Sequence, residues 1–164
     1  MEEDDEADLR DWVETMDRAL AVHEAGHTVV ARALGAEVLF VEIDLATGNG
    51  GSRSSKFDDN QTKNLAVCVA GCRAEHLLVA PSLRKTKVAD FRLMRELLLG
   101  VPEAERRAAR AEGYRIADET LKANTYALRK IADELLARRW IVEGATVRIE
   151  GDGLAALLAD VQTI

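Results

Sequence analysis

His23, Glu24 and His27 stand together in the run His23-Glu24-Ala25-Gly26-His27, an H-E-x-x-H arrangement. Side chains four residues apart lie on one face of a helix, so both imidazoles point the same way. Two such imidazoles can chelate a zinc ion, and the Glu beside the first can reach a water held by that ion. The chemistry this allows is hydrolysis by an activated water, with Glu24 as general base. The competing reading is a pair of hydrogen-bonded helix histidines and no metal. The chain has only three His, and two of them fall here at ligand spacing, which weighs against that reading.

The surrounding residues must place these groups. Asp8 to Leu34 reads as helix with Gly35 as its stop. Ala19 to Val22 and Val29 to Ala31 are apolar on every side of the motif, so the motif sits on a buried helix. Glu37 to Leu45 is rich in β-branched residues and reads as a strand. Thr47 to Gly51 reads as a turn, and Ser52 to Phe57 as a short polar strand. Asp58 to Thr62 offers a cap for a helix that runs to about Val79, where Pro81-Ser82 breaks it. Val88 to Leu99 is a further helix ended by Gly100. Pro102 to Leu121 and Asn124 to Arg139 both show helical apolar spacing, as in Leu128, Ile131, Ala132 and Leu135. Trp140 to Ile149 reads as extended, and Gly153 to Val161 as a last short helix. Trp12 and Trp140 are expected as packing anchors. Residues 1–8, MEEDDEAD, read as an acidic disordered leader, and 9–164 as a single domain.

Composition sets limits. At 164 residues and 48% apolar, one core can be stable without disulfides. The net charge of −7 argues against a nucleic-acid partner, because phosphate contacts need clustered Lys and Arg. No apolar run is long enough to span a bilayer, and no signal-peptide pattern opens the sequence, so the default location is cytoplasmic. Cys68 and Cys72 read as small buried residues rather than a disulfide.

A catalytic zinc takes three protein ligands and leaves one position open, so a third ligand is needed. The stripe Cys68, Cys72 and His76 lies along one helix line and lacks the convergence that zinc requires. Glu75 and Asp90 are the better candidates. Glu75 could instead accept the second N–H of a ligand imidazole and fix its tautomer. Spacing leaves both open. Arg84, Lys85 and Lys87 near the same segment could meet a substrate carboxylate, although a solvated face is the plainer reading.

The run HEAGHTVVARALG resembles the zinc helix of the FtsH-type (M41) metallopeptidases. The likeness continues through the strand VLFVEIDL, the segment GNGGSRSS, and Val69-Ala70-Gly71-Cys72-Arg73-Ala74-Glu75. It then takes in Thr86-Lys87-Val88-Ala89-Asp90 and the late helix Asn124 to Leu136, so it covers roughly residues 15 to 150. By this resemblance His23, His27 and Asp90 are the metal ligands, Zn2+ is the cofactor, Glu24 is the catalytic base, and Glu75 is a carboxylate beside the His pair. The implied fold is mostly α with a small β-sheet, a zincin-like active-site helix and a C-terminal helical bundle. The implied activity is that of a zinc metalloendopeptidase acting on a polypeptide substrate. The two strands would offer that substrate an edge. A separate ATPase or adaptor that delivers substrate, and a homo-oligomer, are the further partners it allows. No G-x-x-x-x-G-K-[ST] occurs, so the ATPase module that precedes such domains is expected to be absent and the domain to stand alone. Where the family usually has Arg beside the paired small residues, this chain has Cys72. Two other readings stay in view: a catalytically idle relative acting as a binding or regulatory module, and a zinc hydrolase of another H-E-x-x-H class with Glu75 as third ligand.

Overall fold

Helix α1 (Glu3–Ala33) carries the motif. Every residue from Ala19 to Ala31 except His27 is buried, so this half of the helix is core on all sides. The computed structural model describes residues 3–140 and 143–164. The helix begins at Glu3, inside the stretch 1–8 expected as a leader. It stops at Gly35, whose φ of 96° lets Ala36 N–H reach back to the Ala31 carbonyl at 2.9 Å.

The sheet is antiparallel in the order β2-β1-β3, formed by β1 (Val38–Asp44), β2 (Asn49–Ser54) and β3 (Thr146–Glu150). Alternation puts Val41, Ile43, Val147 and Ile149 on one fully buried face against the helices. On the other face Arg148 donates to Glu42 at 2.7 Å. Strand β2 starts at Asn49, three residues earlier than the sequence suggests. The Asp44 carboxylate accepts the N–H groups of Ala46 and Thr47 at 2.9 and 3.1 Å and closes the turn before the glycine pair. Gly50 and Gly51 therefore belong to the ladder, opposite Ile43 and Glu42. Of the expected extended stretch 140–149, the strand begins only at Thr146, and residues 141 and 142 lie outside the described part.

Helix α2 (Gln61–Leu77) is capped by Asn60, whose side chain accepts the Lys63 N–H at 3.0 Å. Helix α3 (Arg84–Leu99) begins four residues before Val88. Its first turn is pinned by Thr86, which is buried and donates to the Leu83 carbonyl at 3.0 Å. Asp90 consequently sits in the second turn of a formed helix. A short 3-10 turn (Glu103–Glu105) leads into α4 (Arg106–Ala123), followed by α5 (Thr125–Arg138) and, after β3, by α6 (Gly151–Leu158).

The fold is thus mostly α with one small sheet. Helix α2 lies between α1 and α4, while α5 packs on α1. The last helices wrap around α1 and α2, and α4 and α5 touch each other little. Arg73 grips Asp118 with two bonds of 2.6 and 2.9 Å and ties α2 to α4. Trp12 and Trp140 are not packing anchors: they are 61% and 74% exposed. Trp12 precedes the buried half of α1, and Trp140 follows the end of α5 with the Arg139 guanidinium 4.5 Å from its ring centre. Among the described residues no helix is long and apolar enough to cross a membrane.

Candidate metal centre

The buried half of α1 points His23, Glu24 and His27 at the gap between β2, α2 and α3. His23 and Glu24 are almost completely buried, and His27 is largely so. Both imidazoles are fixed from behind. His23 Nδ1 lies 2.7 Å from the Glu75 Oε1 on α2. His27 Nδ1 lies 2.7 Å from the Val67 carbonyl on the same helix. A carbonyl and a carboxylate can only accept, so both Nδ1 atoms carry the proton, and in the neutral rings both Nε2 atoms present lone pairs.

Those two Nε2 atoms are 3.1 Å apart. Asp90 reaches in from α3 and sets its Oδ2 3.1 Å from His23 Nε2 and 3.4 Å from His27 Nε2. Three acceptor atoms thus meet at one point, with no donor among them while the rings are neutral. Such a cluster repels itself unless a proton or a cation sits in it. A zinc ion with ligands at its usual distances has tetrahedral edges of about 3.3–3.6 Å, close to the three separations found. Two imidazole nitrogens and one carboxylate oxygen suit zinc, and also ferrous iron. The residues present therefore fit a divalent metal.

The charges agree. Burial alone would lower His23, but its bonds to Asp90 and Glu75 and the nearby Glu24 raise it to about 10. Burial alone would raise Asp90, yet the two imidazoles hold it down to about 2. In the metal-free chain a proton shared with Asp90 does part of what a cation would do. Glu24 is raised by burial against the pull of His27 and His23, so its carboxylate is more basic than an exposed one.

Two glycines make room. A Cβ at Gly71 would lie 2.5 Å from His23 Cε1 and Nε2, so α2 can pass this imidazole only with a bare backbone. A Cβ at Gly50 would lie 2.5 Å from Glu24 Cγ and Oε1, so β2 closes over Glu24. The Thr28 hydroxyl, 2.8 Å from the Glu24 carbonyl and 3.1 Å from the Ser52 hydroxyl, joins α1 to the same strand. Glycine within a strand is a sign of close backbone approach; that signal was present in the sequence and is easily taken for a turn.

The expected residues fall as follows. His23, His27 and Asp90 converge, and Glu24 lines the cleft beside them. Glu75 meets the far side of the His23 ring, not the Nε2 pair, and its Oε2 has no hydrogen-bond partner among the described residues. His76 is exposed in the last turn of α2, apart from this cleft. Cys68 and Cys72 are free thiols, and burial with the nearby Asp90 pushes both up to about 12. Cys68 donates to the Asp90 backbone carbonyl at 3.2 Å and holds α3 on α2. Cys72 was not an expected site residue, yet its Sγ lies 3.9 Å from Asp90 Oδ2. One donor atom each of His23, Cys72 and Asp90 lie within 4.8 Å of one another. No local pattern announces this, because it depends on how α3 crosses α2.

The cleft above these groups has a volume of about 690 Å³, and the free edge of β2 forms one wall. Compared with protein-family models the chain matches none, and no curated protein matches it either.

Proposed function

We propose that this chain is a zinc-dependent metalloendopeptidase of the FtsH-like kind, with His23, His27 and Asp90 as the metal ligands and Glu24 as the general base. One observation carries the reading: both Nδ1 atoms are committed to acceptors, so two Nε2 lone pairs and the Asp90 Oδ2 face one point. When bound, zinc polarises a carbonyl and makes a water in its open position acidic enough to attack at neutral pH.

The chain's own residues do the rest. Glu75 and the Val67 carbonyl hold the two imidazoles in the tautomer that leaves Nε2 free. Glu24, made more basic by burial, takes the proton of the attacking water and returns it to the leaving amine nitrogen. Gly50 keeps β2 close over Glu24, so the edge of that strand can align an extended peptide by backbone hydrogen bonds. Pairing of this kind needs an unfolded substrate, which fits a partner that delivers one.

The test is cleavage of an unstructured polypeptide such as casein by the zinc-loaded chain, beside Glu24→Gln. The expected outcome is cleavage by the wild type and a loss of about 10²–10⁴-fold in the variant at unchanged zinc content. Cleavage that survives Glu24→Gln unchanged would sink the base assignment. Zinc at full occupancy with no cleavage would favour a binding or regulatory module.

A second reading has its own observation. With Cys72 Sγ 3.9 Å from Asp90 Oδ2, a small shift could make it a fourth ligand. A site closed by His23, His27, Asp90 and Cys72 would be structural, because no position would remain for water.

A further inference from the structure

We propose that the cleft over the metal centre selects extended peptides that carry acidic side chains, with Lys85 and Lys56 as the specificity-determining residues. The inference rests on the peptidase reading and names the substrate class of the same site.

The chain as a whole is acidic, with 29 Asp and Glu against 22 Lys and Arg. The cleft reverses that balance. Its charged lining consists of Arg53, Lys56 and Lys85 against Glu24 and Asp90, apart from the two His. Asp90 is taken up by the two imidazoles, and Glu24 is almost completely buried beside them. Among the described residues none of the three cations forms an ion pair, whereas Arg73, Arg115, Arg139 and Arg148 all do. Unpaired cations along a trough in a negative protein focus an attractive field where a substrate would lie.

Their places along the trough differ. Lys85 lies in the first turn of α3 and donates from Nζ to the Thr47 carbonyl at 3.3 Å, in the β1–β2 turn. That contact brings the ammonium to the Gly50 end of β2, where Glu24 lies. Lys56 follows the other end of the strand. Arg53 pairs across from Phe40, on the sheet face turned away from α1, and adds only to the general field. A peptide added to β2 rises about 3.4 Å per residue, so a fully extended run from Gly50 to Lys56, two residues past the strand, would span at most roughly 20 Å, or six peptide residues. The pattern fits a peptide with one acid within about two residues of the bond over Glu24 and another about six residues away.

The experiment measures binding without turnover. Zinc-loaded Glu24→Gln chain is titrated into fluorescein-labelled, C-terminally amidated twelve-residue peptides that differ only in Glu, Gln or Lys at those two positions. Polarisation is read at low and high salt. The expected result is that the Glu peptide binds tighter than the Gln peptide by on the order of fivefold at low salt, and the Lys peptide weaker still. The difference should shrink in high salt. It should be lost in Lys85→Glu and Lys56→Glu made in the same background, and partly kept in Lys85→Gln, with unfolding curves showing each variant folded. Equal binding of the three peptides, binding of none, or a preference that survives both charge reversals would overturn the proposal. A gain seen only when the Gln peptide carries a free C-terminus would also overturn it, since the carboxylate would then be terminal. If the Glu preference is found while wild-type chain cleaves none of the peptides, the acidic specificity stands and the peptidase reading falls.

Discussion

Gly71→Ala puts the geometry of the centre at direct risk. In the middle of an exposed helix this change would stabilise, because Ala is a better helix former than Gly by about 1 kcal/mol. Here the new Cβ would fall 2.5 Å from His23 Cε1 and Nε2, against an ordinary contact of 3.4 Å or more. To relieve the overlap the imidazole must retreat by about 0.9 Å, while metal–ligand distances tolerate only about 0.2 Å. His23 cannot retreat freely, because its Nδ1 is bonded to the buried Glu75. The overlap should cost about 1–3 kcal/mol of stability in a packed interior. The assay is zinc affinity by competition with a chromophoric chelator, together with thermal unfolding of the metal-free chain. Affinity should fall at least about tenfold, as it does when a ligand's supporting contact is lost, and the melting temperature should drop. A variant that binds zinc as tightly as the wild type and melts higher would show that the ring does not lie against α2.

Glu75→Gln keeps the shape of the residue that fixes His23 but removes its charge, and zinc affinity should fall about 10–100-fold in the same competition assay. Cys72→Ala should leave zinc content and cleavage unchanged if the site is open; a large loss of zinc would establish the closed, four-ligand alternative. Zinc affinity should rise with pH by about tenfold per unit for each proton released, because His23 in the metal-free chain stays protonated up to about 10. Calorimetry in buffers of different ionisation enthalpy reads that proton directly, and an affinity that does not change between pH 6.5 and 10 would contradict the raised protonation of His23. For the metal-free chain, the raised His23 makes a stabilising contribution that is full below its ordinary value of 6.5 and lost as pH rises through about 10. The lowered Asp90 makes one that is full above 3.8 and lost as pH falls through about 2. These describe one interaction from its two sides, so urea midpoints should be highest between those limits and decline outside them.

The His pair was legible because helical spacing is local: residues four apart on an apolar helix must share a face, and Ala19 to Ala31 made that helix a buried one. Both carboxylates near the centre could be named, but spacing could not say which would meet Nε2. That depends on α3 crossing α2 so that Asp90 enters from the side opposite Glu75. The small sheet was readable in β1, whose Val41 and Ile43 alternate with polar residues. Strand β2 is hard to place from sequence because Gly50 and Gly51 look like turn residues, and nothing local shows that Glu24 occupies the space a side chain at Gly50 would need. The sequence places the start of α3 four residues late because Thr86 gives no sign of its first turn until Leu83 is packed. Trp12 and Trp140 failed as anchors for the same reason: large apolar residues are usually buried, but these lie where the core has already ended. Cys72 beside Asp90 had no signal at all, since only tertiary packing sets that distance.

His23, His27 and Asp90 are proposed to hold a metal ion together. Elemental analysis of purified wild-type chain beside Asp90→Ala tests it most directly. About one zinc per wild-type chain and a large loss of it in the variant are expected, with both proteins folded. Wild-type chain that stays free of zinc after supplementation, or an Asp90→Ala variant that keeps a full complement, would contradict it.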